Sequence, residues 1–131
     1  MDYERARAQA LRSATGNFRR SLAMMRSRDP QAMEDGFGLL LDIARQHVQE
    51  LLDTYGQEPD YRTRFLLLEL IGEARSALAF EVLSTELWNE DEVFSYRAER
   101  GLRLLDTKEA RRLLWQHRSN QARLPGSDPT R

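Results

Sequence analysis

Residues 60–105 read DYRTRFLLLELIGEARSALAFEVLSTELWNEDEVFSYRAERGLRLL. Apolar side chains recur there every three or four positions, the spacing of one helix face, and no strand-like alternation intervenes. Phe65 to Leu68, with Leu70 and Ile71, are apolar nearly all round. A helix of that kind is buried from more than one side, so it should be central. Gly72 is expected to end it. Ser76 is placed to cap the next helix, whose buried side holds Leu78, Ala79, Phe80, Val82, Leu83 and Leu87. Asn89-Glu90-Asp91 makes a turn, and Asp91 can cap a helix burying Val93/Phe94, Ala98, Gly101/Leu102 and Leu105.

Outward from that stretch the same pattern continues. Thr107 can cap a last helix lined by Ala110, Leu113, Leu114 and His117. Residues 119–131 turn to Ser, Asn, Gln, Pro, Gly and Asp, the composition of a disordered tail. Upstream, Asp29-Pro30 is an N-cap followed by proline at the first helical position, where a missing N–H costs nothing. The stripe Met33, Phe37, Leu40, Ala44, His47/Val48, Leu51, Tyr55 then predicts one long helix stopped by Gly56. Ala6, Ala10, Ala14, Phe18, Leu22 and Met25 mark a first helical segment. Within it Gly16 is either a break, with Asn17 capping a second helix, or a kink. The expected fold is all-α: five or six antiparallel helices in stacked hairpins, one domain over 1–118, with 1–56 as an N-terminal hairpin or divergent repeat.

A shift of 35 residues partly overlays the second half on itself. Tyr61-Arg62 falls on Tyr96-Arg97, Leu67 on Leu102, Leu70 on Leu105, and Leu78-Ala79-Phe80 on Leu113-Leu114-Trp115. The units are 57–90 and 91–118, each a helix pair that must stack on a neighbour to bury its apolar face. Leu83, Leu87, Asn89-Glu90-Asp91, Val93, Arg97, Ala98, Gly101-Leu102 and Leu105, from the end of the first unit through the second, carry a resemblance to the HEAT-repeat family, which extends over about residues 58–118. HEAT units pair a turn Asp with an Arg six residues on, and Asp91 and Arg97 have that spacing. The first unit departs from the pattern, since Gly56 stands in place of the Asp, and neither unit has the proline often found in the first helix. The resemblance implies a helical-repeat fold more than a function.

The 131 residues contain no Cys, 19 Arg and one Lys. The absence of Cys excludes disulfides, Cys-based zinc, iron–sulfur ligation and a thiol nucleophile. His47 with Glu50 has the spacing of a bundle metal motif but lacks the further inward carboxylates that such a site needs. Its histidine is expected in the core, and no metal or cofactor is expected. Gly36-Phe37-Gly38 follows no strand, so it is expected to serve close helix packing rather than to cradle phosphate. No serine stands on a strained turn beside a histidine, and the expectation is a non-enzyme. No apolar run approaches a membrane span and the start has no apolar leader, so a cytoplasmic chain is expected.

The net charge of −1 conceals segregation. Residues 1–31 are +4, residues 32–92 are −10 and residues 93–131 are +5. Either these charges meet within the fold, or an acidic face steers a basic protein partner. The second alternative suggests a protein-binding module, for example an immunity-type inhibitor of a basic toxin. Its contacts would come from Glu58, Asp60, Glu69, Glu73, Glu81, Glu86, Glu90 and Asp91. An adaptor would instead use Tyr55, Tyr61, Phe94 and Trp88. The opposing hypothesis is nucleic-acid binding through Arg97, Arg100, Arg103, Arg111 and Arg112, with Trp88 or Trp115 as a stacking plane unless both pack in the core. Open solenoid ends also suit a homodimer.

Overall fold

A computed structural model describes residues 2–123 and places them entirely in helices and short connections, with no strand among them. The helices are α1 (Asp2–Met25), α2 (Pro30–Ile43), α3 (Val48–Gln57), α4 (Tyr61–Glu73), α5 (Phe80–Leu87), α6 (Glu92–Leu105) and α7 (Lys108–Arg123). Single 3-10 turns at Ala44–His47 and Ala77–Ala79 lead into α3 and α5.

The chain divides into two compact units, Met1–His47 and Val48–Arg131. The reason is where α3 packs: its neighbour is α4, so it belongs with the helices that follow it. The helix expected from 30 to 55 is accordingly α2, a 3-10 turn and α3.

In the first unit α1 runs unbroken through Gly16 and pairs with α2 as an antiparallel hairpin. Asp29 caps α2 by accepting from the Ala32 N–H, with Pro30 at its first position. Gly36 lies against the backbone of Ser21 and Met25; a Cβ there would stand 2.6 Å from the Ser21 carbonyl oxygen. Only glycine permits that approach. His47 is buried and stacks on Phe18, ring centroids 5.1 Å apart. It is a core histidine.

In the second unit the buried apolar set is Val48, Leu51, Tyr55, Leu67, Leu68, Leu70, Ile71, Ala74, Ala79, Leu83, Leu87, Phe94, Ala98, Leu102, Ala110 and Leu114. The largest share comes from α4, which packs on both α3 and α6 and is central, as its all-round apolarity predicts. The expected caps are present: Ser76 accepts from Leu78 N–H, Asp91 from Val93 N–H and Thr107 from Ala110 N–H; Asp60, not among the expected caps, also caps α4 by accepting from Thr63 N–H. Arg64 donates to the Tyr55 and Glu58 carbonyls and so satisfies acceptors at the end of α3.

Several expectations need correction. Gly72 does not end α4; it is inside the helix, pressed on Gly101 of α6. The chain turns instead at Arg75, whose φ is 52°. Leu78, Val93, Trp88 and Trp115 are exposed rather than packed. Conversely Tyr55 and Phe94, offered as partner-facing aromatics, are buried. A tail does not start at 119 as expected, because α7 continues to Arg123: nothing before Pro125 forbids helix. Residues 124–131 lie outside the described residues.

Candidate functional site

The parallel packing of α4 and α6 decides which charges are available. Tyr61 donates its hydroxyl to Asp91 Oδ2 at 2.8 Å. One turn on, Phe94 meets Tyr61 and Phe65 edge to face at 5.3 and 6.3 Å. Next, Arg97 lies 4.8 Å over the Phe65 ring and 3.4 Å from Glu69. Last, Arg100 reaches Glu73 Oε1 at 3.0 Å beside the Gly72–Gly101 contact. Each α4 residue meets one about 30 positions later, so the two helices run in the same direction with matched turns.

This seam joins the two charge pools that the sequence sets against each other. Glu69 and Glu73 are held by Arg97 and Arg100, and no water-sized space remains between them. Of the other acids, Glu58 is buried and accepts from the Asp60 N–H at 3.2 Å. Asp60 and Asp91 cap helices. Glu86 accepts from Asn89 at 2.8 Å. Glu81 is exposed on α5 and Glu90 in the turn before α6. On the basic side, Arg111 bonds Asp106, which has a left-handed φ of 53° at the end of α6. Arg103 and Arg112 are exposed.

The structure gathers a different set. An open groove of about 480 Å³ is lined by Trp88, Asn89, Glu90, Glu92, Ser95, Tyr96, Glu99, His117 and Gln121. Its position follows from the local fold. The end of α5 leaves Trp88 at the turn, 46% exposed. The His117 ring from α7 meets it edge to face at 4.8 Å. Ser95 donates its hydroxyl to the Leu87 carbonyl at 2.7 Å and fixes α6 against the end of α5. Glu92, Ser95, Tyr96 and Glu99 are then spaced three, four and seven apart, one face of α6.

Among the described residues that line it, the groove has three carboxylates and neither arginine nor lysine. Tyr96 is 58% exposed. Carboxylates beside open aromatic faces bind cations in two ways, by charge and by cation–π attraction. A planar guanidinium uses both better than an ammonium. Of this set the sequence offered Glu90 and Trp88 as contacts. Glu92, Tyr96 and Glu99 were legible as a single helix face, but the contribution of His117 comes from the tertiary fold.

Among the described residues no three His, Asp or Glu side chains are grouped to hold a metal ion, and no helix is long and apolar enough to cross a membrane. No protein-family model matches the chain, and no curated protein or solved structure matches it.

Proposed function

We propose that this chain is a non-enzymatic protein-binding module, and that the groove between the end of α5, α6 and α7 takes a basic segment of its partner. One observation carries this reading: Glu90, Glu92 and Glu99 surround the open rings of Trp88 and Tyr96. Of the fourteen acids in residues 32–92, Asp60 and Asp91 serve as helix caps and Glu69 and Glu73 pair along the α4–α6 seam, whereas Glu90 and Glu92, with Glu99, lie in the groove beside exposed aromatic surface. An immunity-type inhibitor that covers the basic surface of a toxin belongs to this class. So does an adaptor that grips an arginine-rich strand. The HEAT-like spacing of residues 58–118 is compatible with both, because stacked helix pairs present shallow surfaces to proteins.

The test uses a fluorescein-labelled alternating Arg-Gly octapeptide and its Glu-Gly counterpart, followed by anisotropy at about 50 and about 500 mM salt. The Arg peptide should bind and the Glu peptide should not. Binding should weaken about tenfold or more at the higher salt and in the Glu90→Gln/Glu92→Gln/Glu99→Gln variant. Affinity unchanged in that variant would remove the groove from the proposal.

A further inference from the structure

The outer face of α7 is the chemical complement of the groove. Lys108, Arg111, Arg112, Trp115 and Arg118 recur at three- and four-residue steps, so they form one stripe about 15 Å long. All five are exposed. Trp115, at 67%, is the most exposed large apolar side chain among the described residues. Arg111 bonds Asp106, whereas Lys108, Arg112 and Arg118 have no ion pair among the described residues. The opposite side of α7 carries buried Ala110 and Leu114 and sends His117 and Gln121 to the groove.

We infer that the groove of one copy takes the α7 stripe of a second copy. This rests on reading the groove as a site for basic segments. Its particular content is that the chain carries such a segment itself. The complementarity is twofold. Arg112 and Arg118 flank an aromatic ring, and Glu90, Glu92 and Glu99 surround two others. A Trp anchor flanked by cations entering an aromatic, acidic groove is a helix-in-groove contact.

The stripe cannot reach the groove of its own copy, because the two lie on opposite sides of one helix. The contact is therefore between copies, and because different patches meet, a head-to-tail dimer still has one open groove and one open stripe. Association should proceed past the dimer as concentration rises. It should also compete with basic partners, so that self-assembly masks the groove until a partner displaces α7. A membrane is a poorer occupant for the stripe, since Trp115 is its one large apolar side chain and an interfacial helix needs a full apolar face.

Sedimentation velocity tests this with the whole chain. A groove variant, Glu90→Lys/Glu99→Lys, keeps the stripe. A stripe variant, Arg112→Glu/Trp115→Ser, keeps the groove. All four positions lie outside the buried core, and circular dichroism with thermal melting checks that each variant is folded. The wild-type chain should associate with concentration at low salt and dissociate at about 500 mM salt. Each variant alone should sediment as a monomer. An equal mixture should form a dimer and nothing larger, because one intact groove meets one intact stripe.

A wild-type chain monomeric at every concentration, or a mixture that stays monomeric, would overturn the inference. If the Arg-Gly octapeptide still binds in that case, the groove reading stands and only self-association falls. If the peptide fails as well, both fall together. Binding of labelled oligo-dT to the wild-type chain, lost in the stripe variant without any self-association, would reassign the stripe to nucleic acid and also overturn the inference.

Discussion

Gly72 and Gly101 touch backbone to backbone where α4 crosses α6: a Cβ built on Gly101 would stand 3.1 Å from the Gly72 Cα and 2.9 Å from Leu83 Cδ2. That contact lets Arg97 reach Glu69 and Arg100 reach Glu73, because wider helices would separate the pairs. Gly101→Ala gains about 1 kcal/mol of helix propensity but overpacks a closed crossing, which costs about 1–3 kcal/mol. The expected outcome is a net loss of stability. Gly36→Ala should lose more, because its neighbours are backbone atoms of α1 that cannot rotate away. Gly38 and Gly56 face open space within helices, so alanine there should stabilise by up to about 1 kcal/mol. Urea midpoints of the four variants check the order. Equal effects at all four sites would contradict the packing described.

Along the same seam, Arg97 and Arg100 differ in what they touch. Arg97 pairs with Glu69 and covers the Phe65 ring, with both charged side chains about a quarter exposed. Arg100 is about half exposed and, among the described residues, its ion pair is with Glu73 alone. Arg97→Ala should therefore cost about 1–2 kcal/mol and Arg100→Ala about 0.5 kcal/mol or less. Arg97→Lys should recover only part of the loss, since an ammonium does not lie flat on a ring as a guanidinium does. Denaturation in about 1 M salt should shrink the Arg100 effect more than the Arg97 effect.

How much of this was legible depends on the reach of each signal. Caps are local: Asp29-Pro30, Ser76, Asp91 and Thr107 each act within three residues, and the structure has them where the sequence puts them. Gly72 was misread because a glycine near a helix end and a glycine at a helix crossing look alike until Gly101 is known to face it. The segregated charges were visible, but their pairing was not. Glu69 meets Arg97, 28 residues away, only through the parallel register of α4 and α6. Exposure of Trp88 and Trp115 was missed for a similar reason. Both border apolar stripes, and the fold decides whether a neighbouring helix covers them.

Tyr55 carries a buried hydroxyl that makes no hydrogen bond among the described residues, although the Glu86 carboxylate lies close to it. Burial first, then the nearby Glu86 carboxylate, pushes its pKa up to about 12, while Arg64 acts in the opposite direction. The folded state thus holds this proton more tightly than the unfolded chain, whose value is near 10. The associated stability is fully present below pH 10 and is lost as pH rises through about 12. Tyr55→Phe removes the unpaired hydroxyl, so at neutral pH it should be neutral or slightly stabilising. Between pH 9 and 11.5 the wild-type urea midpoint should fall faster than that of Tyr55→Phe. Parallel curves would mean that the hydroxyl ionises as readily in the folded protein as in the unfolded chain.

The two tryptophans offer separate reporters for the groove and for α7. Trp88 stands at the groove mouth with His117 against its ring, while Trp115 projects from the opposite side of α7. In Trp115→Phe only Trp88 emits, and saturation with the Arg-Gly octapeptide should shift its emission and reduce quenching by acrylamide. In Trp88→Phe only Trp115 emits. At concentrations too low for self-association the peptide should leave that signal unchanged, because a monomer's stripe repels a cation. Tyr96→Ala should weaken peptide binding while leaving the melting temperature within about 2 °C, since an exposed ring contributes little to folding. A peptide that protects Trp115 instead of Trp88 would place basic segments outside the groove and would leave Glu92 and Glu99 as solvated surface of α6.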